Sequence, residues 1–200
     1  MKNPLRKRIL RELRDELGKY LVIFLLLTAT IGFVSGFLVA DGSMLAAYEE
    51  GFSFYNIEDG YFDLAQKANK AQVKTIQGWG VQLYENFYVE KSLTNGSTLR
   101  VFAPREQVDR VCLMSGNLPQ TADEVAIDRM YADNNGLAPG DTLETEDGRR
   151  WTVSGLVALS DYSCLFSDNN DSMFDAVKFG VAIVTPEMFA DFSKDELYWN

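Results

Sequence analysis

Hydrophobic and polar positions fall into three regimes along this chain. From Leu21 to Ala40 the sequence LVIFLLLTATIGFVSGFLVA runs for twenty residues without a charge or a proline, with Lys19 and Asp41 as the nearest charges. At ~1.5 Å rise per residue it makes a helix roughly 30 Å long, the thickness of a bilayer's hydrocarbon core. Ahead of it, Leu5, Ile9, Leu13 and Leu17 recur every fourth position with Leu10 beside them, and Arg6, Arg8, Arg11 and Arg14 fill the other faces. This pattern predicts a basic amphipathic helix lying in a headgroup layer, with Gly18 offering a bend before the span. A buried core helix rarely needs so long an apolar run. A cleaved signal has an apolar core of only about 7–15 residues, and Leu38 stands where cleavage after Ala40 would want a small residue.

Residues 41–200 are the third regime, with short apolar runs punctuated by Gly, Pro, Asn and Asp. MLAAYEEGFSFYN continues the helix for a turn or two and breaks near Gly51. Residues 57–64 predict a short strand, residues 64–80 a surface helix ended by Gly78, and residues 81–93 a strand. Asn95-Gly96 predicts a hairpin with a type I′ turn, both residues at positive φ, and residues 97–103 the returning strand. Residues 104–116 predict a short helix ending at Gly116. DEVAID follows as a strand and RMYADNN as a helix stopped by Gly136. Ala138-Pro139-Gly140-Asp141 suits a type II turn. A second hairpin turns at Asp147-Gly148, residues 161–178 are irregular, FGVAIVT is a buried strand, and PEMFADF starts a helix on its proline. The fold class is α+β: one N-terminal transmembrane helix, then a mixed domain of hairpins and short helices. The expected segments are an arm over 1–20, a span over 21–40 and an extracytoplasmic domain over 41–200.

Charge gives the span a direction. Residues 1–20 carry seven Lys/Arg against three Asp/Glu, net +4, and the remainder twelve against twenty-six, net −14. By the positive-inside rule the arm stays cytoplasmic and the body is translocated across the cell membrane. A body this acidic excludes nucleic acid as a partner, because phosphate binding needs clustered Lys/Arg. The chain has no histidine, which removes the commonest general base and metal ligand. Asp168, Asn170, Asp171, Ser172 and Asp175 cluster as a calcium loop would, but Met173 and Phe179 occupy the places of the required glycine and glutamate. Glu58/Asp59 and Glu146/Asp147 precede glycines as turn acids do. There is no G-x-S-x-G and no P-loop, so no catalytic set and no cofactor site is expected, and the chain is not expected to be an enzyme. Cys112, in the apolar run RVCLM, suits a small buried hydrophobe; spacing leaves its pairing with Cys164 open. Asn95-Gly96-Ser97 also fits a glycosylation sequon, although the turn accounts for it. Gly32 and Gly36 form a G-x-x-x-G within the span, with Thr28 and Ser35 nearby, as in helices that pack closely in membranes.

The order of parts (basic arm, first span, extracytoplasmic domain), together with LMSGNLPQTADEVAIDRMYADNNGLAPGDTL and WTVSGLVALSDYSCLF, resembles the amino-terminal part of an FtsX-like, MacB-type ABC transporter permease. The resemblance implies a MacB-like core domain that transmits motion, a separate cytoplasmic ABC ATPase subunit as partner, and packing against other permease helices or a second permease copy. Such permeases have several spans, so this chain is expected to be an amino-terminal part that stops inside the domain. The alternative is a single-span anchored binding or sensor domain. A membrane-anchored enzyme is the third class, and the missing catalytic set weighs against it.

Overall fold

The computed structural model describes residues 14–168 and 170–200, with the side chain of Asp195 left aside. Seven of the arm residues singled out above, Leu5, Arg6, Arg8, Ile9, Leu10, Arg11 and Leu13, lie outside the described residues. The chain divides into two compact units, Met1–Gly51 and Phe52–Asn200. Its architecture is α+β: one long apolar helix, then a mixed sheet with short helices.

The first unit consists, among the described residues, almost entirely of helix α1, which runs Leu17–Tyr55 and leaves its last turn to the second unit. Arg14 and Asp15 are helical, Glu16 forms a turn, and the helix resumes at Leu17, so Gly18 lies inside a helix rather than at a bend. Gly42 and Gly51 do not stop it either. Each costs about 1 kcal/mol relative to alanine, too little to interrupt a hydrogen-bonded ladder with no competing structure. The break comes at Asn56, whose φ is +49°. None of the α1 residues is buried by protein, and the helix is long and apolar enough to cross a membrane. Thr28 and Thr30 donate their hydroxyls to the carbonyls of Phe24 and Leu26, both at 2.8 Å, so neither needs water.

The second unit is a seven-stranded mixed sheet: β1 (Tyr88–Ser92), β2 (Thr98–Phe102), β3 (Cys112–Gly116), β4 (Glu124–Asp128), β5 (Thr142–Glu144), β6 (Arg150–Ala158) and β7 (Phe179–Ile183). The order is β1-β2-β7-β4-β6-β3, with β5 on the same strand β6. β7 lies parallel to β2, antiparallel to β4, and is buried at all five positions. This explains its unbroken apolar sequence, FGVAI. β6 alternates, with Trp151, Val153 and Val157 inward. The tips of the two hairpins join through Thr94 N–H to the Glu144 carbonyl and Glu146 N–H to the Ser92 carbonyl, both at 2.9 Å. The sheet thereby curls back on itself and leaves fewer open edges.

Both hairpins use the same turn, and it is not the type I′ expected. Gly96 N–H bonds the Leu93 carbonyl and Leu93 N–H the Ser97 carbonyl, and φ is positive only at Gly96, +81°. Thr145 to Arg149 repeats the pattern around Gly148 at +85°. A type I turn followed by a left-handed glycine bulge has this pattern. Asn95 is not among the described residues at positive φ, and its side-chain oxygen accepts from Ser97 N–H at 3.0 Å.

Three short α-helices are present among the described residues of this unit: α2 (Lys70–Gln77), α3 (Arg129–Asn135) and α4 (Pro186–Ala190). The first starts later than expected because Asn69 makes a capping box with Gln72. Asp128 caps α3, Gly136 closes it at φ +65°, and Thr185 caps α4 ahead of its proline. The type II turn expected at Pro139-Gly140 is present, with Gly140 at φ +101° and Asp141 N–H on the Ala138 carbonyl. α3 presses Tyr131 onto the bare backbone of Gly180; a Cβ there would lie 2.5 Å from the Tyr131 ring.

Three expected elements are replaced. Residues 57–64 form no strand apart from a single bridge, Leu64 to Trp199. The strand expected over 81–93 is confined to Tyr88–Ser92. Residues 104–116 are not a helix: Asp109 at φ +45° interrupts any helical turn, and the following residues become β3 because β6 is long enough to offer a second pairing edge.

Candidate functional site at the end of the long helix

The last turn of α1 is fastened to the segment before β3 by a dense set of hydrogen bonds, all within the second unit. Arg110 N–H donates to the Tyr55 carbonyl at 2.9 Å, Asp109 N–H to the Asn56 carbonyl at 3.1 Å, and the Arg110 guanidinium to the Phe54 carbonyl at 3.3 Å. The Asn56 amide donates to the Gln107 carbonyl, and the Tyr55 hydroxyl to the Cys112 sulfur at 3.0 Å. Asn56 and Asp109 are the only non-glycine residues at positive φ among those described, and they bond each other. Asn and Asp tolerate that conformation best, yet it is still uncommon, and such geometry persists only where surrounding contacts fix it.

Beneath this joint lies a buried charge cluster. Asp109 is fully buried; its Oδ1 accepts from Glu58 N–H at 3.1 Å and from the Ser160 hydroxyl at 3.0 Å, while Oδ2 has no partner. Arg105 forks onto both oxygens of Asp161 through Nη1 at 2.7 Å, with side-chain exposures of 4 % and 11 %. Its guanidinium sits 4.0 Å from the Phe102 ring centre, and Nε and Nη2 are unpartnered. Burial, then the neighbouring Asp109 carboxylate, pushes the half-buried Glu58 up to about 7. Burial raises Asp161 as well, against the pull of Arg105.

Glu58 and Asp161 open onto a polar cavity of about 280 Å³, where Arg100 is held by Glu90 at 2.7 Å, the Tyr162 hydroxyl at 3.0 Å and the Ser167 carbonyl at 2.8 Å. A neighbouring groove of about 840 Å³ is mostly apolar, with Phe62, Val73, Ile76, Trp79 and Trp199 in its wall. Among the described residues no group of three or more Cys, Asp or Glu side chains is placed to hold a metal ion.

Gly32 and Gly36 stand in α1 with open space where a side chain would project, so another helix could approach there. Arg14 and Leu17 are exposed, and the other arm residues fall outside the description. The cluster at 168–175 folds on itself: Asp171 Oδ2 accepts from the Ser167 hydroxyl at 2.6 Å and Asp168 N–H at 2.9 Å. Those bonds, the Ser167 hydroxyl first, hold Asp171 below the usual carboxylate range. Both cysteines are free, Cys112 half-buried and Cys164 exposed. Sequence reasoning missed the Glu58–Asp109–Arg105–Asp161 cluster. Glu58 has the context of a turn acid, and its partner lies 51 residues away, beyond any spacing rule. Compared with protein-family models, characterised proteins and solved structures, the chain matches none.

Proposed function

We propose that this chain is the amino-terminal part of a membrane permease of the ABC transporter type, in which an extracytoplasmic α+β body is driven through its first helix by a separate cytoplasmic ATPase. The observation that supports this reading is α1: an apolar helix with no residue buried by protein, long and apolar enough to cross a membrane ahead of an α+β body. The order of parts and the local strings resembling MacB-type permeases support it further. The positive arm and acidic body favour a cytoplasmic amino terminus. Gly32 and Gly36 supply the face against which a second permease helix would pack.

The test replaces both glycines by isoleucine in the full-length permease in native membranes and measures ATPase stimulation by the partner subunit. Intact insertion with reduced stimulation is expected. Unchanged stimulation would remove the helix-packing element, and failure of the chain to associate with any P-loop protein in its membrane would remove the transporter reading. The apolar groove beside the joint favours a second reading, a single-span binding or sensor domain. That reading predicts no ATPase partner.

A further inference from the structure

We infer that Glu58 and Asp109 share a single proton, and that this proton clasps the joint of Tyr55 and Asn56 with Asp109 and Arg110. The cluster holds three carboxyl groups, Glu58, Asp109 and Asp161, against one guanidinium, Arg105, which is already committed to both oxygens of Asp161. Asp109 is fully buried, and one of its oxygens has neither a donor nor a cation. A buried carboxylate oxygen left in that state is costly, so a compensating positive charge or donor is required. A metal ion does not fit, because the described residues offer no converging ligand set. Arg105 spends Nη1 on Asp161, and its unpartnered Nε and Nη2 make no bond to Asp109 Oδ2. What fits is a proton carried on the carboxyl of Glu58, the residue whose own N–H is bonded to Asp109 Oδ1 at 3.1 Å.

Two carboxyls sharing one proton behave as a pair, with one titration displaced upward. The position of Glu58, raised to about 7, agrees with this. Glu58 also reaches the polar cavity, so solvent can deliver and remove the proton. The other ionisable groups lining that cavity are Tyr61, Asp63, Tyr88, Arg100, Tyr162, Cys164 and Asp168. Arg100 is occupied by Glu90, and the cation of the cluster itself, Arg105, opposes the rise without abolishing it.

The consequence is directional. An acid whose folded-state pKa lies above its unfolded value, 4.5 for Glu58, contributes stability that is complete below that value and is lost as pH rises through about 7. Loss of the proton places two carboxylates side by side under the joint, where Glu58 N–H, Asp109 N–H and Arg110 N–H make its hydrogen bonds. The joint is therefore tight in acid and looser above neutrality. This inference is independent of the transporter reading, since an anchored sensor would carry the same clasp.

The experiment is hydrogen–deuterium exchange on the full chain in nanodiscs, corrected for intrinsic rates, following the amides of Glu58, Asp109 and Arg110 from pH 5 to pH 8. Protection should fall about tenfold in the wild-type chain, after discounting for the partial exposure of Glu58. Glu58→Gln, which keeps a neutral donor beside Asp109, should hold protection constant. A flat wild-type profile, or a Glu58→Gln profile that still falls, overturns the clasp. Carbon-13 titration of the Glu58 carboxyl decides independently: a midpoint near 7 supports the shared proton, and one near 4.5 refutes it.

Discussion

Replacing Arg105 with methionine removes the one cation of the buried cluster while leaving a side chain of similar length over Phe102. Asp161, with a side-chain exposure of 11 %, would lose both of its charge-assisted hydrogen bonds and remain near Asp109, whose Oδ2 has no partner. Breaking a buried pair by removing one partner costs about 3–5 kcal/mol, most of it the penalty of the stranded charge. That is a large fraction of a typical total stability of about 5–15 kcal/mol. If the penalty is electrostatic, removing the second charge should recover most of it. Arg105→Met with Asp161→Leu should lie within about 1–2 kcal/mol of the wild type, although each single change is worse. The loss should also depend on pH. Without Arg105 the folded-state pKa of Asp161 rises further above its unfolded 3.8, so the deficit is small below that value and grows as pH rises. Urea unfolding of the detergent-solubilised chain, followed by tryptophan fluorescence, gives the four free energies, because Trp151 is fully buried and reports on the core. A single variant within about 1 kcal/mol of wild type at pH 8, or losses that simply add in the double variant, would refute the stranded-charge account.

Gly96→Val forces a β-branched residue to φ +81° and should destabilise the body by at least about 1 kcal/mol; an unchanged melting curve would mean the hairpin is built otherwise. Gly180→Ala places a methyl against the Tyr131 ring and should cost about 1–3 kcal/mol, recovered in part by Tyr131→Leu; a neutral effect would show that α3 can withdraw freely from β7. Tyr131→Phe removes the 2.7 Å contact with the buried Ser97 hydroxyl and should cost about 1 kcal/mol in the same unfolding assay, a loss that Ser97→Ala in the same chain should reduce.

Where local chemistry and tertiary demand agree, the elements were legible. β4, α3, β7 and α4 follow from apolar runs bracketed by Asp128, Gly136, Thr185 and Pro186, whose capping roles depend only on neighbours. The apolar run of α1 was equally plain, but its extension to Tyr55 was not, because glycine marks a possible stop rather than an obligatory one. β3 was hidden because its existence depends on the second half of β6, and a helix or a strand suits CLMSG locally. Asn95-Gly96 marks the place of the turn but not its type, because that dipeptide serves a type I′ turn and a type I turn with a bulge equally well. The joint could not be found from spacing. It joins Tyr55–Glu58 to Gln107–Cys112 and Ser160–Asp161, segments brought together only by the completed sheet.

The central claim is that an apolar helix divides a cytoplasmic arm from a translocated body, and the chain carries its own reporter of it. Cys164 is free and exposed, in the body, and the other cysteine, Cys112, is half-buried. A membrane-impermeant maleimide applied to intact cells should label the wild-type chain, and Cys164→Ser should remove most of that label. In a background lacking both native cysteines, a cysteine placed at Asn95 should likewise be labelled from outside and one placed at Lys7 should not. Labelling of the Lys7 position from outside, with the body protected until the cells are lysed, would contradict the topology and the permease reading that depends on it.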